Sequence, residues 1–476
     1  MSLIHIPILR AGTVYESLDT VELAHIRSGE PIASVSQANA GLLRRDMARL
    51  KAARDALRRI SPDELLEICV AAGELFLCDK LPIDVNGAAQ SPQEYIEMLS
   101  ATTGLPHSLC RNNMRKIHQV FTQMPAILRG LTRGLELKTI FAGIGEQAGV
   151  PVSFYPVTEA LGVVLPSNSP GVNSIWMPAV VLGIPVVLKP GREDPWTPYR
   201  IIQAFLAAGC PREAFSFYPT DHEGSNTILN TAGRALVFGD ESTVARYAAN
   251  PGIQVHGPGR SKVLIGDDQI ERWPEFVDVL VESIVSNGGR SCINASAVIV
   301  PAHGREIADA LARRLAAIEP LAVTDEQATL AGFANSKVAE FIDEAINEDL
   351  KVDGAEDVTA KYRNGPRKVD FEGRTYLLPT IVWCDSFAHP LANREFLFPY
   401  ASVVEMPCAR MLDEIGPSLV VSAITRDAGF IERLLQSPLI DRLNLGALPT
   451  NRVSWDQPHE GNLFEFLYKR RAVQCE

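Results

Sequence analysis

The sequence predicts an α/β protein that contains two parallel sheets with helices on both faces. From Leu161 to Gly239, segments of helical periodicity alternate with four short apolar runs, LGVVLP, PVVLKP, FSFYP and ALVFG. A second alternating block, from about His256 to Leu435, contains SKVLIG, SAVIV, TYLLPTIVW and YASVVEMP. Continuous apolar strands separated by helices are typical of parallel sheets that are buried on both faces. Ligands bind such sheets at the carboxyl ends of the strands, yet no GxGxxG fingerprint follows any of these runs.

The region before the first block is predicted to be mostly helical, up to about residue 135, apart from a strand-like opening around Thr13 to Val35. The run ANAGLLRRDMARLKAARDALRRI spaces its apolar residues three and four positions apart, with arginines and lysines between them. This spacing predicts an amphipathic helix that packs on a core and exposes its charges to solvent.

Composition limits the class of protein. The chain has 476 residues, too many for one hydrophobic core, and 46% of them are hydrophobic and 21% charged. No apolar stretch approaches the ~20 residues that span a bilayer, and the N-terminus carries no small-residue cleavage site, so we expect a cytoplasmic protein without a membrane partner. The net charge of -12 disfavours nucleic acid as a partner.

The cysteines argue against a metal site or a disulfide framework, because no CxxC pair and no regular spacing occurs among them. They stand at positions 69, 78, 110, 210, 292, 384, 408 and 475. Each cysteine is therefore expected to be a buried side chain that packs in the core or, in one case, a reactive thiol.

The segment SIVSNGGRSCINASAVIV indicates a reactive residue more specifically than any other segment. In it, glycine-rich sequence leads directly to Cys292 and then to a β-branched strand. A cysteine before an apolar strand is, taken alone, usually a buried small hydrophobe. Asn287, Gly288 and Gly289, however, permit a tight turn that leaves the next thiol accessible and surrounded by main-chain N–H groups. Such donors lower the pKa of a thiol and hold an oxyanion.

This segment resembles the NxGQxC nucleophile motif of the aldehyde dehydrogenase superfamily, and three further segments carry the same resemblance. PSNSP, which begins at Pro166, is similar to the PWNxP element. The asparagine of that element, here Asn168, points at the developing oxyanion, and Pro166 is assigned to cofactor binding. VLKPGRED resembles the VKPSE strand end, whose lysine, here Lys189, binds the adenosine ribose of the cofactor. REFLFPYASVV is similar to the EIFGP motif, whose glutamate, here Glu395, holds the nicotinamide ribose.

The resemblance implies a three-part architecture. A Rossmann-like cofactor domain would comprise residues 1–135 and 159–255, an α/β catalytic domain residues 256–445, and a small β bridging arm residues 136–158 and 446–476. In the family the C-terminal tail adds a strand to a partner subunit, so a homodimer or homotetramer is expected.

One departure from the family concerns the fate of the acyl group. Hydrolytic members carry a glutamate in an ELGGK motif, but here VHGPGRSK places His256 in that position. The GPG turn is similar to the acyl-CoA-forming branch, in which coenzyme A takes the acyl group. Two interpretations stay open: His256 replaces the carboxylate as the base, or it fills space in a site where coenzyme A attacks.

The nucleotide pocket departs from the family as well. Arg192 stands where a glutamate favours NAD, and a guanidinium there could pair with the 2′-phosphate of NADP. Gly239 matches the helix start that supports the pyrophosphate, but the following Asp240 and Glu241 oppose phosphate oxygens. The tail motif WDQPHEGN has no assigned role beyond a wall of the substrate entrance, and its His459 is interpreted as structural.

The predicted function is an NAD(P)-dependent aldehyde oxidoreductase that acts through a thioester on Cys292, with a small aldehyde or acyl thioester as substrate. A coenzyme A-acylating enzyme is the first alternative. A catalytically inactive scaffold is the second, and the presence of Cys292, Asn168, Lys189 and Glu395 together disfavours it.

Overall fold

The computed structural model describes residues 3–84 and 86–474. The chain forms two compact units, the first comprising Met1–Thr102, Cys110–Gly257 and Ser454–Glu476, and the second Thr103–Leu109 and Pro258–Val453. Cys475 lies outside the described residues. No helix in the described part of the chain is long and apolar enough to cross a membrane.

The N-terminal region begins with strands and continues with helices. The strands are β1 Ile4–Ile6, β2 Ile8–Arg10, β3 Thr13–Tyr15, β4 Thr20–Ala24 and β5 Pro31–Ser36. The helices and short strands that follow are α1 Ala40–Met47, α2 Leu50–Leu57, α3 Pro62–Cys78, β6 Leu81–Pro82, β7 Ala89–Gln90, α4 Pro92–Thr103, α5 His107–Thr122, α6 Met124–Leu131 and α7 Leu137–Ala142.

The amphipathic segment predicted as one helix forms two, α1 and α2. Asn39 caps α1 by accepting a hydrogen bond from the Leu42 N–H, and the helix ends at Met47. Arg49, with φ of -111°, interrupts the helical backbone before α2 begins. The predicted apolar face is nevertheless buried, as Leu43 and Leu57 show.

The first unit is built on a seven-stranded sheet of order β14-β13-β10-β11-β12-β2-β3. Two strands of another sheet precede it, β8 Ile144–Gln147 and β9 Val150–Pro156. The helices and strands that follow are β10 Leu161–Val164, α8 Met177–Val181, β11 Val186–Lys189, α9 Trp196–Ala207, β12 Phe215–Phe217, α10 His222–Thr231, β13 Arg234–Phe238, α11 Glu241–Tyr247 and β14 Ile253–His256. Strands β10 to β14 are mutually parallel, whereas β2 and β3 are antiparallel. All four apolar runs of the first block are therefore parallel strands.

The second unit contains another seven-stranded sheet, of order β17-β20-β21-β16-β15-β22-β23. Its elements are β15 Ser261–Ile265, α12 Val277–Val285, β16 Ala295–Val300, α13 Gly304–Ala316, α14 Ser336–Asp349, β17 Ala355–Asp357, β18 Lys368–Phe371, β19 Arg374–Leu377, β20 Thr380–Cys384, β21 Tyr400–Glu405, α15 Cys408–Glu414, β22 Ser418–Ile424, α16 Ala428–Gln436 and β23 Ile440–Leu445. Leu264 and Val263 point into separate hydrophobic clusters, so both faces of the sheet are buried.

The run TYLLPTIVW, predicted as one strand, is two strands of different sheets. Pro379 lies between β19 and β20, and a proline has no N–H for a strand ladder. β19 pairs with β18 in a two-stranded sheet, whereas β20 joins the large parallel sheet.

The C-terminal tail returns to the first unit. After α17 Leu463–Leu467, strand β24 Tyr468–Arg471 pairs antiparallel with β9, which also pairs with β8. These three strands form one small sheet from the two segments that the sequence assigned to a bridging arm. The predicted domain boundaries and the strand exchange with a partner subunit stay predictions.

Candidate active site

The tight turn predicted before Cys292 is present. After α12 the backbone enters the left-handed region at Asn287, Gly288 and Gly289, with φ values of 54°, 65° and 69°. A Cβ on Gly289 would lie 2.3 Å from the backbone of Phe398 and Pro399, so a side chain does not fit there. The turn delivers a half-buried Cys292 just before β16.

Buried polar side chains that the sequence analysis missed hold this turn. Asn294 accepts a hydrogen bond from the Ser291 N–H at 2.9 Å and donates to the Ser286 carbonyl at 2.9 Å. The buried Arg290 guanidinium donates to the carbonyls of Thr103, at 2.8 Å, and Gly332. Burial lowers the pKa of Arg290 to about 10. Arg290, within the motif NGGRSC, and Asn294, two residues after it, therefore fix the backbone around the thiol.

The second glycine of the GPG turn packs directly against the nucleophile candidate. A Cβ on Gly259 would lie 2.0 Å from the Cys292 carbonyl oxygen and 3.0 Å from the Cys292 Cβ. Ser261 adds a hydrogen bond from its Oγ to the same carbonyl, at 2.8 Å. Glycine is thus required at position 259 by the close approach of two backbone segments.

Glu395 contacts Arg260, the residue that follows the GPG turn. Its carboxylate accepts a hydrogen bond from the Arg260 N–H at 2.5 Å, and burial raises the pKa of Glu395 to about 7. Lys262 is fully buried nearby and donates from Nζ to the Arg260 carbonyl, at 2.6 Å, and to Ser418 Oγ, at 2.9 Å. Glu395 therefore anchors the turn that contacts Cys292, and its ribose-binding role stays a prediction.

Cys292 differs from most other thiols of the described chain in its exposure. Burial raises the pKa of Cys210 and Cys384 to about 12 and that of Cys408 to about 11, and it raises the pKa of Cys69 and Cys110 further. Among the seven described cysteines, only Cys78 and Cys292 are not fully buried, and all seven are free thiols.

In the first unit, the predicted site residues gather at one edge of the parallel sheet. Strands β10, β11, β13 and β14 have their carboxyl ends at this edge because they are parallel. Pro166 and a half-buried Asn168 follow β10, Lys189 ends β11, Gly239 follows β13 and His256 ends β14. This is the edge at which open α/β sheets bind ligands.

A cavity of about 510 Å³ opens beside the end of β11. Its lining includes Lys189, Arg192, Asp221 and His222. Burial lowers the pKa of Lys189. A Cβ on Gly191 would lie 2.4 Å from the Pro166 carbonyl oxygen, so the loops after β10 and β11 are in backbone contact. The cavity has the size of a small-molecule site and carries two cationic side chains.

The region around Gly239 is less favourable for a phosphate. The Asp240 carboxylate caps the short helix α11 by accepting a hydrogen bond from the Thr243 N–H at 3.0 Å. Hydrogen bonds from Ser242 and Thr243 lower the pKa of Asp240, which keeps the carboxylate ionised. The pyrophosphate role of Gly239 stays a prediction, and the charge of Asp240 opposes it.

His256 is buried, with 4% of its surface exposed. Its Nδ1 hydrogen bonds to the carboxylate of Glu460, which belongs to the tail motif WDQPHEGN. Its Nε2 is buried and has no hydrogen-bond partner among the described residues. Sequence reasoning singled out the tail motif but could not pair Glu460 with a residue 204 positions away.

Comparison with known proteins identifies the family. The sequence profile of the aldehyde dehydrogenase family matches residues 15–410, and the chain therefore belongs to this family. Malonate-semialdehyde dehydrogenase of Pseudomonas aeruginosa is 26% identical over 47% of this chain and 48% of the relative. The acylating, mitochondrial methylmalonate-semialdehyde dehydrogenase of Arabidopsis thaliana is 24% identical over 56% of this chain and 48% of the relative. The chain thus spans about half the length of these curated relatives.

Solved structures confirm the fold. An indole-3-acetaldehyde dehydrogenase in complex with NAD+ superposes with a TM-score of 0.79 at 16% identity, covering 99% of this chain and 96% of that one. The aldehyde dehydrogenase KauB from Pseudomonas aeruginosa gives a TM-score of 0.80, also at 16% identity, with 99% and 96% of the two chains covered. The predicted aldehyde dehydrogenase-like α/β fold is confirmed.

Proposed function

We propose that this protein is an NAD(P)-dependent aldehyde dehydrogenase that carries its substrate as a thioester on Cys292. The observation that carries the proposal is the left-handed turn from Asn287 to Gly289, which presents a half-buried thiol against Gly259. A non-glycine residue in the left-handed region, as at Asn287, is uncommon, and such residues are concentrated at functional sites.

The chemistry assigned to the chain begins at the thiol. The Cys292 thiolate attacks the carbonyl carbon of the aldehyde and forms a C–S bond, while the carbonyl oxygen becomes an oxyanion. We assign the Cys292 backbone N–H as one donor to that oxygen and, on its PSNSP motif, the Asn168 amide as another. Each such donor is worth roughly 10² to 10³ in rate. Loss of a hydride from the same carbon, for which a bound nicotinamide would be the acceptor, would leave Cys292 with a thioester.

The residues present fit a nicotinamide dinucleotide at its adenosine end. Lys189 and Arg192 line a cavity of suitable size at the carboxyl end of β11. An ammonium and a guanidinium there suit ribose hydroxyls and a 2′-phosphate, so we assign NADP as the preferred cofactor, with NAD as the alternative. Pro166, Gly239 and Glu395 are assigned to the cofactor on their motifs.

Coenzyme A-dependent acyl transfer is the second candidate function. The GPG turn replaces the family's glutamate-containing motif, and a thiol acceptor needs no carboxylate base. The Arabidopsis relative is named as acylating. A catalytically inactive scaffold is a third candidate. The hydrogen-bonded turn before Cys292 argues against it, because a cysteine that only packs in a core does not need this backbone geometry.

A single set of assays tests the proposal. Aldehydes of graded size are offered with NAD+ or NADP+, each with and without coenzyme A, and reduced cofactor is followed by absorbance. Cys292→Ala is expected to abolish even the first turnover, because a methyl group cannot form a thioester. Cys78→Ala removes the other accessible described thiol and is the matched control. More than a trace of oxidation by Cys292→Ala would contradict covalent catalysis.

The wider assignments follow the same proposal. We infer a small aldehyde or acyl thioester as substrate, a homodimer or homotetramer as the assembly and the cytoplasm as the location. Light scattering of the purified protein tests the assembly, and a monomer at micromolar concentration would contradict it.

A further inference from the structure

The side chain of Cys292 lies at the amino ends of neighbouring strands in the second unit. Cys292 precedes β16, and the sheet order places β15, β22 and β23 next to it in turn. Gly259, just before β15, has no side chain, and a Cβ there would lie 3.0 Å from the Cys292 Cβ. The absence of that side chain leaves room for the thiol. Cys292 packs against the hydrophobic cluster of Ile293, Leu419 and Val420, the last two of which belong to β22.

Arg442 stands on the next strand, beside this cluster. Strand β23 pairs parallel with β22, and Arg442 is the Cα partner of Val420. Neighbouring strands lie about 5 Å apart, a distance that an arginine side chain easily spans. Burial lowers the pKa of Arg442, and the charge of Cys292 opposes that shift. The guanidinium therefore lies within electrostatic range of the thiol.

The loop after β23 connects Arg442 to the backbone that presents the thiol. The Arg442 guanidinium donates to the Arg452 carbonyl at 2.9 Å. In the same loop, the Asn451 amide donates from Nδ2 to Ser286 Oγ at 2.5 Å. Ser286 begins the left-handed turn that leads to Cys292. The cation and the nucleophile are thus held by one connected set of hydrogen bonds.

We propose that Arg442 is a positioning residue that keeps Cys292 in its reactive, deprotonated form. The thiol proton leaves to solvent, and the electron pair that remains on Sγ attacks the carbonyl carbon of the aldehyde. A positive charge nearby stabilises the thiolate and does little for the neutral thiol, so it shifts the equilibrium toward the thiolate. The inference rests on the proposed function, and it adds a cation that lies outside the four family motifs.

Other charged side chains on the segments around Cys292 in this unit supply a background that all variants share. They are Arg260, Lys262, Glu282, Arg290, Glu395, Asp441 and Arg452. Burial lowers the pKa of Lys262 to about 7 and raises that of Glu395 to about 7. As pH rises through 7, each of these two groups becomes more negative by one charge, which disfavours the thiolate. Because this occurs in every variant, a difference between variants reports Arg442.

Alkylation of the purified full-length protein by iodoacetamide tests the proposal without cofactor or aldehyde. Cys78→Ala is the parent protein, since it lacks the other accessible described thiol, and mass spectrometry assigns the product to Cys292. In Arg442→Gln the midpoint of the rate against pH should rise by about one unit. The rate should therefore fall about tenfold on the acid side of the midpoint and stay within about twofold of the parent on the alkaline plateau.

Two variants separate charge from packing. Arg442→Lys keeps the cation and should return the midpoint to within about half a unit of the parent. Arg426→Gln removes an exposed arginine at the carboxyl end of β22, away from Val420, and should behave as the parent. Circular dichroism verifies that each variant is folded.

An anionic reagent supplies a second measurement that needs no variant at Arg442. Iodoacetate carries a carboxylate in place of the amide, so a cation beside the thiol attracts it. In the parent, high salt should slow iodoacetate relative to iodoacetamide by about threefold or more. In Arg442→Gln the same ratio should already be low and should respond little to salt.

The outcomes distinguish failure of this inference from failure of the proposed function. An unchanged midpoint in Arg442→Gln, or equal shifts in Arg442→Gln and Arg442→Lys, would overturn the role of the charge. A rate ratio in the parent that matches free cysteine at every salt concentration would overturn it as well. Absence of any burst of reduced cofactor in wild type, with graded aldehydes and either cofactor, would instead refute the proposed function.

Discussion

Gly259→Ala provides a direct test of the geometry around Cys292. The added Cβ would lie 2.0 Å from the Cys292 carbonyl oxygen and 2.8 Å from its carbonyl carbon, whereas real Cβ contacts are essentially never shorter than 3.0 Å. Both obstacles are backbone atoms, so no side chain can rotate away. The two backbone segments must separate by about 1 Å. A displacement of that size costs about 10²-fold in rate when it misplaces a reacting group.

The assay for this variant is kcat/KM with the best aldehyde, together with the rate of Cys292 alkylation by iodoacetamide. Gly429→Ala, in α16 of the same unit, is the matched control because a Cβ there meets only Asp427 Oδ1, at 3.5 Å. Circular dichroism verifies that both variants are folded. If Gly259→Ala retains kcat/KM within twofold of wild type, the close approach of the GPG turn to the nucleophile does not matter for catalysis.

Two further predictions concern charged side chains. Arg192→Glu should shift the ratio of kcat/KM with NADP to kcat/KM with NAD toward NAD by about tenfold or more, and Arg192→Gln should give an intermediate ratio. Equal kcat/KM values with the two cofactors in wild type would contradict the assignment of Arg192. Burial lowers the pKa of Lys262 to about 7. Between pH 7 and about 10 the unfolded chain therefore binds more protons than the folded chain, so the free energy of unfolding should rise with pH in that window. The rise from pH 7 to pH 9 should be on the order of 1–3 kcal/mol in urea unfolding, absent in Lys262→Met and kept in the exposed control Lys337→Met. The same rise in all three proteins would show that Lys262 is not responsible.

The pH window is chosen so that a neighbouring carboxylate does not interfere. Burial raises the pKa of Glu395 to about 7, so the folded chain binds its proton more tightly than the unfolded chain does below that pH. This group therefore makes stability fall as pH rises from about 4.5 to 7. Between pH 7 and pH 9 it loses its remaining half proton, which lowers stability by only about 0.4 kcal/mol, so the slope mainly reports Lys262.

Much of the fold was predictable because it depends on local pattern. The four apolar runs of the first block became parallel strands, since continuous β-branched sequence between helices has few other ways to be buried. The turn before Cys292 was predictable because Asn287, Gly288 and Gly289 tolerate left-handed backbone. Where the pattern misled, a local break was responsible, as at Arg49 between two helices and at Pro379 between two strands.

The sequence by itself determined the chemistry-bearing residue types and their order along the chain, because motifs such as NGGRSC record which backbone conformations and functional groups each segment can supply. The partners of those residues were decided only by tertiary structure. Glu460 meets His256 across 204 positions, and Glu395 meets Arg260 across 135. Such pairings arise when strands and loops distant in sequence pack together, and no periodicity or motif within one segment encodes the atom that will face it from another.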